Sequence, residues 1–322
     1  MIQRSVIALC LVATTATAEL VLDGQPFPAE NVEIIWEAPT NRWPTNLWVY
    51  KVIPQQFSTA AVSNLMALGG FREKDRTHIE GKRPFKDKRL LYFANKERTR
   101  HLGIFHPMGW LYYRDDKARN YGRELTKNVP DEARTLELAL DWLNKLGVDR
   151  SELVTKEGSS ELLAYRDVRN RGWYDKDKGE QVKEVSSRGI SFVRCIDGIS
   201  LTGLGTDGGF SISFVGSGKV AALELLWRNH KRHKLYRVVS PAELIKRIQQ
   251  GEAKVVPTVR INTTGAKKLN IAKVSPYYLG EDGETAQNLV YPFAAVEGTL
   301  EGEDGVKRHI ALKCPILLTE PK

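Results

Sequence analysis

No apolar run in this chain approaches the ~20 residues a helix needs to cross a bilayer, which excludes a helical transmembrane anchor among these residues. Cysteine is scarce, with three in 322 residues. No serine sits in a G-x-S-x-G setting, so the nucleophile elbow of the α/β-hydrolases is missing. Of the six histidines, His230 and His233 stand three apart, but Lys231, Arg232 and Lys234 around them repel a cation, so no metal site is expected. Asp115 and Asp116 are adjacent, and neighbouring strand residues face opposite sides, so they cannot act as an acid-base pair on one substrate. His101 and His106 lie near Trp110 with no nucleophile at a recognisable spacing. Gly203, Gly205 and Gly208 match G-x-G-x-x-G, yet an alternating strand pattern follows them where phosphate binding needs a helix N-terminus. These absences predict a chain that is not an enzyme and carries no cofactor.

What is present begins with an export signal. Arg4 precedes a short apolar run from Val6 to Ala13, and Ala16-Thr17-Ala18 supplies the small side chains a signal peptidase accepts. Cys10 is not read as a lipidation site, because Leu9 stands where a small residue would be needed. Residues 1–18 are therefore expected to be a signal peptide, and the protein secreted or periplasmic. Removing 18 of 322 residues leaves 304, enough for two or three domains. The formal charge is +9, or +8 without Arg4, so the surface attracts anions. Outside the cytoplasm those are membranes, wall polymers and acidic proteins, not nucleic acid. Basic residues gather between Lys82 and Arg100 and in the run from Arg228 to Lys234, the latter reading most simply as a solvated turn.

A helix followed by strands recurs three times, predicting an α+β fold of tandem units, each with one helix on an antiparallel sheet. The boundaries fall at 19–128, 129–238 and 239–322. Ser58 is placed to cap the first helix, which Gly69-Gly70 ends. Strand-like runs follow at Leu90 to Ala94, His101 to His106 and Gly109 to Arg114. Pro130-Asp131-Glu132 opens the second helix, whose stripe is Leu136, Ala139, Leu140, Leu143 and Leu146. After a polar stretch, alternation returns at Ile190 to Ile196, Ile199 to Leu204, Gly209 to Val215 and Val220 to Trp227. Ser240-Pro241-Ala242-Glu243 is a capping box for the third helix. Strands at Val255 to Ile261, Leu269 to Ser275, Leu289 to Val296 and His309 to Leu317 close the chain. Asn262-Thr263-Thr264 is a formal glycosylation acceptor.

Aromatic residues alternate at Trp48 with Tyr50 and at Trp110 with Tyr112. Each pair belongs on one sheet face, either as core or as a groove flanked by Arg98, Arg100 and Arg114 and suited to a peptide or glycan. A second candidate surface is Arg228, Lys231, Arg232 and Lys234, suited to a polyanion. Cys195 and Cys314 each lie in a strand-like segment and either pair across the sheet or remain as two buried thiols.

Cys195-Ile196-Asp197-Gly198-Ile199-Ser200-Leu201-Thr202-Gly203 resembles the Asn/Asp-Gly-Ile-x-Val-x-Gly hairpin of secreted PepSY-type domains. Ser240 to Glu252 followed by strands, with Tyr291-Pro292-Phe293 ahead of Val296-Glu297-Gly298, is similar to the closing unit of YycI-like extracytoplasmic regulators. The resemblance implies units that each lay one helix over a curved antiparallel sheet. The expected function is a secreted, non-enzymatic binding or regulatory protein that recognises an extracytoplasmic protein or peptide, for instance as an inhibitor. The alternative is an envelope protein that binds an anionic polymer through its basic patch.

Overall fold

The computed structural model describes residues 25–28, 30–41, 43–77, 90–119, 127–175, 177, 179–203, 209–256, 263, 265–280 and 287–318. The signal at residues 1–18, the basic residues at 82–89, Gly205 and Gly208 lie outside them, as does most of the glycosylation triplet. In chain order come β1 (Glu33–Trp36), β2 (Asn46–Ile53), α1 (Thr59–Gly69), β3 (Leu90–Ala94), β4 (Arg100–Phe105) and β5 (Trp110–Asp115). A single turn, α2 (Asp116–Arg119), precedes α3 (Glu132–Lys145), β6 (Ala164–Asp175), β7 (Glu180–Ile196), β8 (Ile199–Gly203), β9 (Gly209–Phe214) and β10 (Val220–Leu226). The last third holds β11 (Asn229–Arg237), α4 (Pro241–Gln249), β12 (Lys254–Val255), β13 (Ala266–Gly280), β14 (Leu289–Gly302) and β15 (Lys307–Pro315).

The helices start and stop where local chemistry requires. Ser58 Oγ accepts from Ala61 N at 3.1 Å, and Gly70 closes α1 in the left-handed conformation that suits glycine. Asp131 caps α3 through Arg134 N at 2.8 Å. The capping box of α4 forms in both directions, with Ser240 N donating to Glu243 Oε2 and Glu243 N to Ser240 Oγ.

The sheet overturns the expected tandem units. Among the described residues, all 15 strands belong to one mixed sheet, antiparallel except where β13 pairs in parallel with β1 and with β8. Helices α1 and α3, expected in separate units, share one core: Ala61 and Leu65 pack with Ala139 and Leu143 over strands β4, β5, β7, β9 and β10. That half is a seven-stranded antiparallel array in the order β6-β7-β9-β10-β5-β4-β3. The N-terminal segment crosses to the other half, where Phe27, Val32 and Leu47 join Leu244 and Ile248 of α4 and Leu312 of β15. Trp43 Nε1 fastens it by donating to Val239 O at 2.8 Å. A helical stripe of period 3.6 fixes which face of a helix is buried but not which strands lie beneath it, so the order of elements along the chain misassigned the partners.

Two segments read as irregular are strands. The polar stretch after α3 forms the long β6–β7 hairpin, and the basic run after Trp227 forms β11, an edge strand rather than a turn. Both are exposed over most of their length, so neither carries the apolar alternation of a half-buried strand. Cys195 and Cys314 are unpaired. Burial pushes the Cys314 thiol up to about 12 and raises that of Cys195.

Gly298 shows why the closing motif needs a glycine. It faces Ile271 at a bulge in β13, and a Cβ there would stand 2.2 Å from Asn270 O. Because the clash is with backbone, Gly298→Ala is expected to lower the unfolding free energy by about 1–3 kcal/mol in a denaturant titration.

Candidate recognition surface

Helices α1 and α3 cover one face of the seven-stranded half, and the rows of the opposite face follow from strand register. One row crosses from Tyr165 through Ser191, Ser211 and Glu224 to Tyr112. It continues to Gly103 and Tyr92, and the Tyr112 ring lies over Gly103, where a Cβ would meet it at 2.3 Å. The next row runs Asp167, Gly189, Ser213, Ala222, Arg114, His101. A third row is apolar and buried, with Leu226, Trp110, Phe105 and Leu90 in one cluster. Small side chains in the first two rows leave a concavity of about 240 Å³ over β6, β7, β9 and β10. Ser191, Ser211 and Ser213 line it together with Asp167 and Arg169, which are 3.2 Å apart.

Beside the trough stands a polar relay. The Tyr92 hydroxyl lies 2.6 Å from His101 Nδ1, and His101 Nε2 lies 3.4 Å from Asp116 Oδ2. Burial raises the Tyr92 pKa, so the phenol keeps its proton. Arg114 bonds the other carboxylate oxygen of Asp116. Asp115 faces away, buried, accepting from Ala118 N and paired with Lys219.

The structure divides the predicted aromatic groove. Trp110, Tyr112 and Arg114 share the face opposite α1 and α3, and Trp110 is buried with its Nε1 donating to Glu224 Oε1 at 2.9 Å. Arg98 occupies the β3–β4 turn, near enough for its charge to offset part of the rise that burial gives the Tyr92 pKa. Arg100 alternates to the helix side, with its guanidinium near Gly70.

Trp48 and Tyr50 lie elsewhere, on β2 beside the β7–β8 hairpin. There Tyr50 Oη donates to Asp197, whose Oδ2 also accepts from Arg232 at 2.7 Å. The Arg232 guanidinium lies 5.5 Å from the centre of the Trp48 ring. Tyr278 packs edge-on to Tyr50 and donates to Trp48 O at 3.0 Å. Burial, with Asp197 second, lifts the Tyr50 phenol up to about 12.

The basic quartet does not form one surface. Arg228 is buried and donates to Met108 O and Gln287 Oε1. Arg232 is opposite Tyr50, whereas Lys231 is opposite Lys51 and Lys234 opposite Val49, on the other side of the strand.

Sequence reading missed Glu224, the trough serines, Asp167 and Arg169. The serines alternate visibly in Phe210-Ser211-Ile212-Ser213-Phe214, but nothing local marks the strands that bring Asp167 beside them.

A buried cluster at the junction of the two halves also escaped notice. Arg194 is 4 % exposed; it bonds Glu152 and Arg228 O and stacks on Trp227 at 4.3 Å. His230 lies close by, its Nδ1 buried with no hydrogen-bond partner among the described residues.

No protein-family model matches this chain, and no curated protein matches it. Among solved structures it is similar to an uncharacterized protein from Eubacterium rectale ATCC 33656, at 10% identity and a TM-score of 0.45 over 88% of this chain and 86% of that one.

Proposed function

We propose that this chain is an exported, non-enzymatic binding protein that takes an extended stretch of an extracytoplasmic protein or peptide on the face of its seven-stranded half opposite α1 and α3. The observation that carries this reading is the serine-lined trough between the Asp167–Arg169 pair and the Tyr112–Arg114 side. A floor of serine, glycine and alanine lets a bound backbone approach the sheet closely, and hydroxyls satisfy its amide groups without demanding one side chain. Asp167, Arg169 and Arg114 would fix direction by charge, and Tyr112 supplies the flat aromatic contact common at protein interfaces.

The test is to pan a random-peptide display library on the immobilised protein and measure the enriched peptides against Ser213→Trp, which fills the trough. Affinity is expected to drop at least about tenfold, as for loss of an interface centre. The unfolding midpoint should stay unchanged. Peptides that bind both proteins equally, or a library that yields none, would defeat the reading.

A further inference from the structure

The two long edge strands are treated differently by the sequence. β11 carries Lys231, Arg232 and Lys234 and a bulge between Arg232 and Lys234, devices that discourage another strand from adding. β6 has twelve residues with no lysine and no proline; its charges are of both signs, Arg166, Arg169 and Arg171 with Asp167 and Asp175, and the extra residue of its ladder, Ser186, sits on β7 instead. Among the described residues it pairs with β7 alone. Along it Tyr165, Val168 and Tyr174 are 57%, 42% and 62% exposed. A long edge with exposed apolar side chains and charges of both signs can accept a strand whose charges complement its own, whereas the all-basic β11 repels a copy of itself.

We propose that β6 pairs antiparallel with β6 of a second copy of this chain about a two-fold axis at Val168, joining two seven-stranded arrays into one sheet. The charges on β6 select both partner and register. With the axis at Val168, each residue faces the one equally far on the other side. Val168 then meets Val168, Asp167 meets Arg169 twice, and Tyr165 meets Arg171 twice. No like charges oppose. Moving the axis one residue either way sets Asp167 against Asp167 or Arg169 against Arg169, which like-charge repulsion disfavours. The existing Asp167–Arg169 pair becomes half of a four-charge ring spanning the axis. Both residues line the trough, so each copy adds charge to its neighbour's groove and the two grooves run together. The inference uses only the edge and stands whatever the trough holds.

Sedimentation of the full chain should give twice the monomer mass. Asp167→Arg alone and Arg169→Asp alone each set like charges across the axis twice and should weaken the dimer about tenfold or more; the double exchange restores opposite signs and should recover it. As an independent readout, mild oxidation of Val168→Cys should give a reducible covalent dimer. Asn170→Cys, which faces Arg166 in this register, should not, and neither should the unaltered chain. A chain that sediments as one copy at every concentration, single exchanges that leave the dimer as strong as before, or no cross-link at Val168→Cys would each overturn the proposal.

Discussion

Glu152→Ala is expected to remove about 3 kcal/mol of folding stability, far more than loss of a surface carboxylate. Glu152 itself is 40% exposed on its side chain, but the guanidinium it holds, on Arg194, is 5% exposed. Desolvation already works against the charged form of Arg194, and Glu152 is the chief group opposing it. The rest of its surroundings offer little compensation, since Arg228 O is one neutral acceptor, Trp227 gives only its ring face, and the nearby Arg228 is a second buried cation. Truncating the carboxylate therefore strands a positive charge at the place where β7 passes from the seven-stranded half to β8. If desolvation is the cause, removing the charge as well should help. Glu152→Ala combined with Arg194→Met is expected to recover more than half of the loss, because a buried pair can often be replaced by apolar side chains at little net cost. Denaturant titration of the two single variants and the double variant makes the cycle. A double variant no more stable than Glu152→Ala would show that the guanidinium's hydrogen bonds, not its stranded charge, set the effect.

That cluster marks the boundary of what the sequence discloses. Features fixed within a few residues were legible. The caps at Ser58 and Ser240 form as read, Asp197-Gly198 turns the β7–β8 hairpin with both residues at positive φ, and Gly216-Ser217-Gly218 lies between β9 and β10. Leu90 to Ala94 is strand β3 to the residue. Long-range pairing was not legible. Nothing near Phe27 or Leu47 states that they pack against α4 instead of α1, and nothing near Glu132 states that its helix shares a core with α1. Exposed strands were hidden for a different reason. In β6 and β11 both faces meet solvent over most of their length, so the period-two pattern that betrays a strand is absent. The candidate surface inherits both difficulties. Its Tyr112–Arg114 side was readable from alternation in β5, while its Asp167–Arg169 side depended on a strand that read only as a polar stretch. The basic run illustrates the converse error: contiguous charge in sequence suggested one patch, and strand alternation with burial of Arg228 dispersed it.

His230 is expected to make stability fall in mild acid. Burial, with Arg194 and Arg228 adding repulsion, lowers its pKa from an ordinary 6.5 to about 3. The unfolded chain therefore takes up a proton that the folded chain refuses. The stability present above the unfolded value is lost steadily as pH falls below it, until the folded imidazole also titrates. Between about pH 7.5 and pH 5 this one group should remove about 2 kcal/mol. Asp197 and Asp304, both lowered by their hydrogen bonds, release their share of stability only at more acid pH, near the unfolded carboxylate range. His106, also lowered by burial, acts in the same direction, so the control must be specific to His230. His230→Phe keeps an aromatic side chain, removes the titrating nitrogens and eliminates a buried Nδ1 that has no partner among the described residues. Its unfolding free energy at pH 7.5 should equal or exceed that of the unaltered protein, and the drop to pH 5 should shrink by about 2 kcal/mol. Equal pH slopes for the two proteins would mean that the imidazole is reached by solvent and titrates normally, and the junction between the two halves would then be open where the structure has it closed.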